Sequence, residues 1–185
     1  MAVYLTFGAV TGIVLWAIAT FNALVRARNR VEEAWSGVDV QLRRRHDVVP
    51  NLVEAVRAYA EHERAALVLA AKASFTACGA RSRAGRARAE SALSAALTGV
   101  LALAEEYPAL HASESFLRLQ GQLMEIETEI QSARRLYNAN VRAYNSLVQS
   151  LPSSIVAAFA AFRARPFVEI EVTQRAVPAV LGQAV

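Results

Sequence analysis

From Val3 to Val25 the chain reads VYLTFGAVTGIVLWAIATFNALV, without a single charged side chain. As a helix this run would be about 35 Å long, enough to cross a hydrocarbon core of about 30 Å. A core helix of that length in a soluble protein is rarely apolar all round. A cleaved secretory signal places its positive charge before the apolar run and a small-residue cleavage site after it. Here Arg26, Arg28 and Arg30 follow the run directly, and only the α-amino group precedes it. The positive-inside rule therefore predicts a single-pass anchor over residues 1–25, with the short N-terminus outside and residues 26 onward in the cytoplasm. Tyr4, Trp16 and Phe21 suit interfacial or lipid-facing positions, and Gly8 and Gly12 form a small-xxx-small pattern of the kind that brings membrane helices together.

Beyond the anchor, residues 26–167 are expected to form one helical domain. The apolar fraction is 55 % but the aromatic fraction only 8 %, because alanine, a strong helix former that buries little surface, supplies much of the former. Few glycines and prolines interrupt the chain, which argues against a sheet-rich fold. The expected class is all-α: a transmembrane helix followed by an elongated antiparallel bundle of long helices, with coiled-coil-like packing. Cys78 is the sole cysteine, so no intrachain disulfide exists, in keeping with a reducing compartment.

Periodicity locates the helices. Val31, Trp35, Val38 and Leu42 follow three-four spacing, which resumes at Val49, Leu52, Val56 and Tyr59, with Arg45 as the one interruption. Pro50 removes a helical hydrogen bond and crowds the preceding turn. Either Asp47 caps a new helix near Pro50, or one helix runs through and kinks; the unbroken register favours the second reading and spacing alone does not decide. The helix is expected to continue through NLVEAVRAYAEHERAALVLAAKASF to a loop over CGARSRAGRARAE, with a second helix from Arg88 to Glu106 that breaks at Pro108.

The strongest stripe lies between Ser113 and Ser150: Phe116, Leu119, Leu123, Ile126, Ile130, Ala133 and Tyr137, then, after a stutter near Asn138 and Asn140, Val141, Tyr144, Val148 and Leu151. A helix of about 57 Å needs partners along its length to be stable. Pro152, Ser153 and Ser154 end it, and a short apolar segment with Ile155, Val156, Phe159 and Phe162 follows. Residues 168–185 show no period and are expected to form a flexible tail.

No enzyme signature emerges, and no catalytic, cofactor-binding or metal site is expected. His62-Glu63 begins like a zinc-protease helix, but position 66 is alanine. Glu-x-x-His pairs of a di-metal bundle would need glutamate where Arg43, Tyr59 and Pro108 stand. Cys78 has no neighbouring histidine in sequence and reads as incidental. Glu125, Glu127 and Glu129 alternate around a helix and read as a solvated face. The Arg43, Arg44, Arg45 run is expected to be partly exposed, with ion pairs to residues such as Asp39 and Asp47. Nucleic-acid binding would call for a broader basic face, so no nucleic-acid partner is expected.

The segment RNRVEEAWSGVDVQLRRRHDVVPNLVEAVRAYAEHE, together with YPALHASESFLRLQGQL, ARRLYNANVRAYNSLVQSLPS and ARPFVE in that order, resembles the bacterial LemA family over residues 20 to 169. The resemblance implies a membrane helix followed by a cytoplasmic bundle in the bacterial inner membrane, and it implies no enzymatic activity. It also implies association with membrane partners, an M48-type membrane metalloprotease or a TPM-domain protein, and, through a relative at magnetosome membranes, oligomeric membrane shaping. The positions that match the family pattern are Trp35, Asp39, Arg44, Asp47, Pro50, Asn51, Tyr137, Asn138, Tyr144, Asn145, Pro152 and Phe167. Asp47 and Asn51 are expected to satisfy backbone groups around Pro50, and the Tyr and Asn residues of the last helix to hydrogen-bond across the bundle. The Arg- and Ala-rich stretch 81–103 departs from the pattern. The expected function is a non-enzymatic scaffold or interaction protein, with the lipid bilayer and a homo-oligomer as partners.

Overall fold

The computed structural model of the chain describes residues 1–59, 64–80 and 82–168. Within them lie six helices and no strand: α1 (Ala2–Arg57), α2 (Arg64–Gly79), α3 (Arg83–Glu105), α4 (Pro108–His111), α5 (Glu114–Gln149) and α6 (Ser153–Phe159). The expected tail falls almost wholly at residues 169–185, outside the described residues.

α1 is one helix of 56 residues, about 84 Å long, and it joins the apolar run to the bundle without a break. Its most apolar 18-residue window, of mean hydropathy 1.9, is 0 % buried by the rest of the chain, and α1 is the one helix among the described residues long and apolar enough to cross a membrane. Further along, Leu42, Arg45, Val49, Leu52 and Val56 form one buried face, while Pro50 points to solvent on the other side. The proline ring thus meets no packed neighbour, and burial of the opposite face holds the helix through it. The second reading of Pro50, one helix rather than two, is the one observed.

Two helix boundaries differ from expectation. α1 ends at Arg57, with Ala58 as its C-cap, instead of continuing to Phe75. Much of the expected loop over 78–90 is helical, because α2 runs to Gly79 and α3 starts at Arg83, where the Ser82 hydroxyl accepts the Gly85 N–H at 3.0 Å. That side-chain cap lets helix begin inside an Arg-rich stretch.

Two apolar clusters divide the bundle. The distal one joins Val49, Leu52 and Val56 of α1 to Leu67, Ala70 and Ala77 of α2, Leu93, Leu97 and Val100 of α3, Leu110 of α4, and Phe116 and Leu123 of α5. Its buried alanines give the close helix approach that composition suggested. The proximal cluster joins Ala27, Val31, Ala34, Val38 and Leu42 to Ile126, Ile130, Tyr137, Val141 and Tyr144. There α1 and α5 lie antiparallel as a pair, and residues 162–168, which form neither helix nor strand, pack against it through Phe162 and Val168.

Candidate functional site

Between the two clusters lies a polar layer built on Arg45, the residue that interrupts the apolar stripe of α1. Its side chain is 2 % exposed and faces Glu90 of α3, itself 1 % exposed, at 3.3 Å from Nη1 to Oε2. Nη2 donates to Ser94 Oγ at 2.8 Å and lies 3.5 Å from Glu127 Oε2 of α5. Nε makes no hydrogen bond. The other Glu90 oxygen lies 2.7 Å from His46 Nε2, and His46 Nδ1 lies 3.0 Å from Cys78 Sγ of α2. On the flank, Asp39 accepts from Arg43 at 2.7 Å and also from Arg86 of α3. Four helices are therefore joined by one charged network. An ion pair taken out of water needs this many hydrogen bonds to offset its lost hydration.

Several expectations change here. Arg45 is not partly exposed; it is the buried centre of the layer, while Arg43 does pair with Asp39 as expected and Arg44 is exposed. Glu125 and Glu129 are exposed as expected, and Glu127, half-exposed between them, also reaches Arg45 at 3.5 Å. Cys78 has a histidine beside it after all, supplied by a helix 32 residues away in sequence. Glu90 and Ser94 come from the stretch 81–103 that departs from the family pattern.

The string Cys78, His46, Glu90 has the order of a nucleophile, a base and an orienting carboxylate. With Nε2–H donating to Glu90, His46 Nδ1 accepts from the Cys78 thiol. Burial raises the Cys78 pKa, and the negative charges of Glu90 and Asp47 raise it further. Glu90 also pairs with Arg45. The arrangement locks α1, α2 and α3 together.

The second assembly is a strap. Residues 163–168 run back along α5, and their backbone is tied by side chains (Tyr137, Asn138, Tyr144 and Asn145). Asn145 donates from Nδ2 to Arg165 O at 2.9 Å and accepts Arg165 N–H at 2.8 Å. Asn138 does the same with Val168, at 2.8 and 3.0 Å. Tyr144 Oη donates to Arg163 O at 3.0 Å, and Tyr137 Oη to Pro166 O at 3.2 Å. Seven residues of helix advance about 10.5 Å, and three residues of extended chain advance about 10 Å, so the Tyr-Asn repeat of α5 meets every third residue of the strap. These side chains hydrogen-bond as expected, but to the strap and not to another helix.

Of the remaining family positions, Trp35 packs edge-to-face on Tyr137 at 5.4 Å, and the Leu151–Pro152 peptide is cis. Phe167 is exposed. Arg44 and Asp47 line an open cleft of about 330 Å³ with Glu125 and Glu129. Among the described residues neither Asp47 nor Asn51 hydrogen-bonds to backbone near Pro50, so that expectation is corrected: both side chains face solvent. Arg26 and Arg30 are exposed, whereas Arg28 lies over the Phe162 ring at 5.5 Å. A wider groove of about 910 Å³ runs between α3 and α5, with Arg45, Ser94 and Glu127 in its floor and Leu101 and Met124 on its walls. No cluster of three or more potential metal ligands occurs among the described residues.

The family model described as LemA family matches residues 34–181, from just behind the apolar run through the bundle and the strap. A search of curated proteins finds no match.

Proposed function

The chain belongs to the LemA family, and on that premise we propose that it is a non-enzymatic, membrane-anchored interaction protein of the bacterial cytoplasmic membrane. The observation that carries the reading is α1 itself. Its most apolar 18-residue window is uncovered by the rest of the chain, and its other half is the central strut of the bundle. Lipid satisfies the first half, since a helix meets its own backbone hydrogen-bond needs. The Arg26, Arg28 and Arg30 cluster favours a cytoplasmic bundle. The groove between α3 and α5, lined by apolar Leu101 and Met124 beside Glu127 and Gln131, favours contact with another helix, from a second copy or from a membrane protein. The raised pKa of the Cys78 thiol favours a structural role for the polar layer over a catalytic one.

Cross-linking in intact cells through a photoreactive residue at Met124, which is exposed on the groove wall, tests the reading. Adducts with a second copy or with a membrane protein are expected. A chain that forms no adduct in cells, and that stays monomeric after gentle solubilisation, would defeat it.

A further inference from the structure

The twelve residues Leu151–Phe162, LPSSIVAAFAAF, contain no charge and surround α6. Little of their apolar surface is used within the chain. Phe159 is 91 % exposed, Leu151 80 % and Ile155 50 %. Ile155 and Phe159, four residues apart, lie on one side of α6, opposite the buried Ala157, and Leu151 lies exposed in the turn just before the helix. In water such a face is costly; it needs a cover.

Its position identifies the cover. α6 packs on α1, and Phe162 just after it meets Phe21 edge-to-face at 5.7 Å. Phe21 belongs to the uncharged run, about 6 Å inside its cytoplasmic end at Val25. Burial on α1 enters the run at the same place: Leu24 is fully buried and Ala23, Thr20 and Ala17 are partly covered, all on one face. Cations stand around this level, with Arg28 over Phe162, Arg163 exposed, and Arg165 paired with Glu32 at 3.0 Å.

The attachment is rigid. α6 ends in a Schellman turn, in which Phe162 N–H reaches Ala157 O at 2.9 Å and Ala161 N–H reaches Ala158 O at 3.2 Å. Ala161 holds the left-handed conformation there, at φ 56°. From that turn the chain passes directly into the strap.

We propose that α6 with Leu151 is a second membrane contact, an apolar foot seated in the headgroup-acyl boundary beside the span, with Leu151, Ile155 and Phe159 facing lipid. An apolar face rimmed by arginine is what an interfacial anchor beside anionic lipid requires. The proposal rests on the reading that the apolar half of α1 spans the bilayer.

The test uses the full chain with Cys78→Ser, reconstituted in phosphatidylcholine-phosphatidylglycerol nanodiscs. A nitroxide is attached to one new cysteine at a time: Ile13→Cys in the span, Phe159→Cys on the foot, or Leu136→Cys on the exposed bundle surface. Collision with oxygen, which partitions into lipid, is compared with collision with a water-soluble nickel chelate. The expected oxygen-to-nickel ratio at position 159 is several-fold above that at 136 and approaches that at 13. A ratio at 159 equal to that at 136, with 13 still in lipid, overturns the foot and leaves the span intact. Water exposure at both 13 and 159 overturns both. Exclusion of both reagents from 159, with dipolar broadening between labels, overturns the proposal in favour of a second copy as the cover.

Discussion

The distal and proximal halves of the bundle solve the same problem in different ways. In the distal half every element against α1 is a helix, which satisfies its own backbone, so side chains are free to pack and alanine brings the axes close. In the proximal half the third element is a strap, whose N–H and C=O groups have no strand beside them. Buried backbone groups need partners, so α5 supplies Tyr137, Asn138, Tyr144 and Asn145. Polar side chains on a buried face mean opposite things in the two halves. Distally they neutralise one another; proximally they stand in for a missing strand.

The comparison breaks most sharply at Glu90. Glu90→Ala leaves the buried Arg45 charge with the Ser94 hydroxyl and only the longer ion pair to Glu127, and a loss of about 3–5 kcal/mol is expected, read by thermal unfolding of the solubilised protein. Replacing both partners, Arg45→Met with Glu90→Leu, should restore most of it; if the double variant is no better than the single, the layer is not an isolated ion pair. Next comes Asn145→Ala, which removes two backbone bonds for a cost of roughly 1–3 kcal/mol. That cost should appear locally, as faster amide exchange at residues 163–168 with the distal helices unaffected. Exchange that rises equally in α2 and α3 would mean that the halves unfold as one.

A smaller effect, of opposite sign, is expected from Ala161→Gly. Relief of a left-handed alanine should add about 1 kcal/mol, seen as a higher melting temperature of the proximal half. Least disturbing to the fold is the titration of Cys78. Alkylation of this exposed thiol should reach half its maximal rate above the ordinary thiol value, because burial and nearby negative charge favour the protonated form. In Glu90→Gln the midpoint should fall, since one of those charges is gone. A uniform rate increase without movement of the midpoint would instead report loosening of α2.

The proximal half was the more legible of the two in sequence. The stripe from Phe116 to Leu151 placed α5 to within a residue at either end, and Tyr and Asn at heptad spacing announced a hydrogen-bonding role. Their partner was not legible, because a strap without periodicity leaves no mark in the pattern of residues 163–168. In the distal half the end of α1 at Arg57 carries neither glycine nor proline, so a tertiary packing choice set it. The polar layer had one visible sign, Arg45 in an otherwise apolar stripe. Its counter-charge lay 45 residues away among many arginines and alanines, where only packing of α3 against α1 selects Glu90 over its neighbours.

The continuity of α1 through Pro50 has a mechanical consequence. On the proposed reading, with no break in α1 between lipid and core, the bundle is a lever arm whose fulcrum would lie at the membrane surface. From Arg26 to Arg57 the arm measures about 47 Å, so a span tilted by about 20° carries the far end sideways by roughly 16 Å. Any change in bilayer thickness that re-tilted such a span would sweep the distal face sideways by a comparable distance.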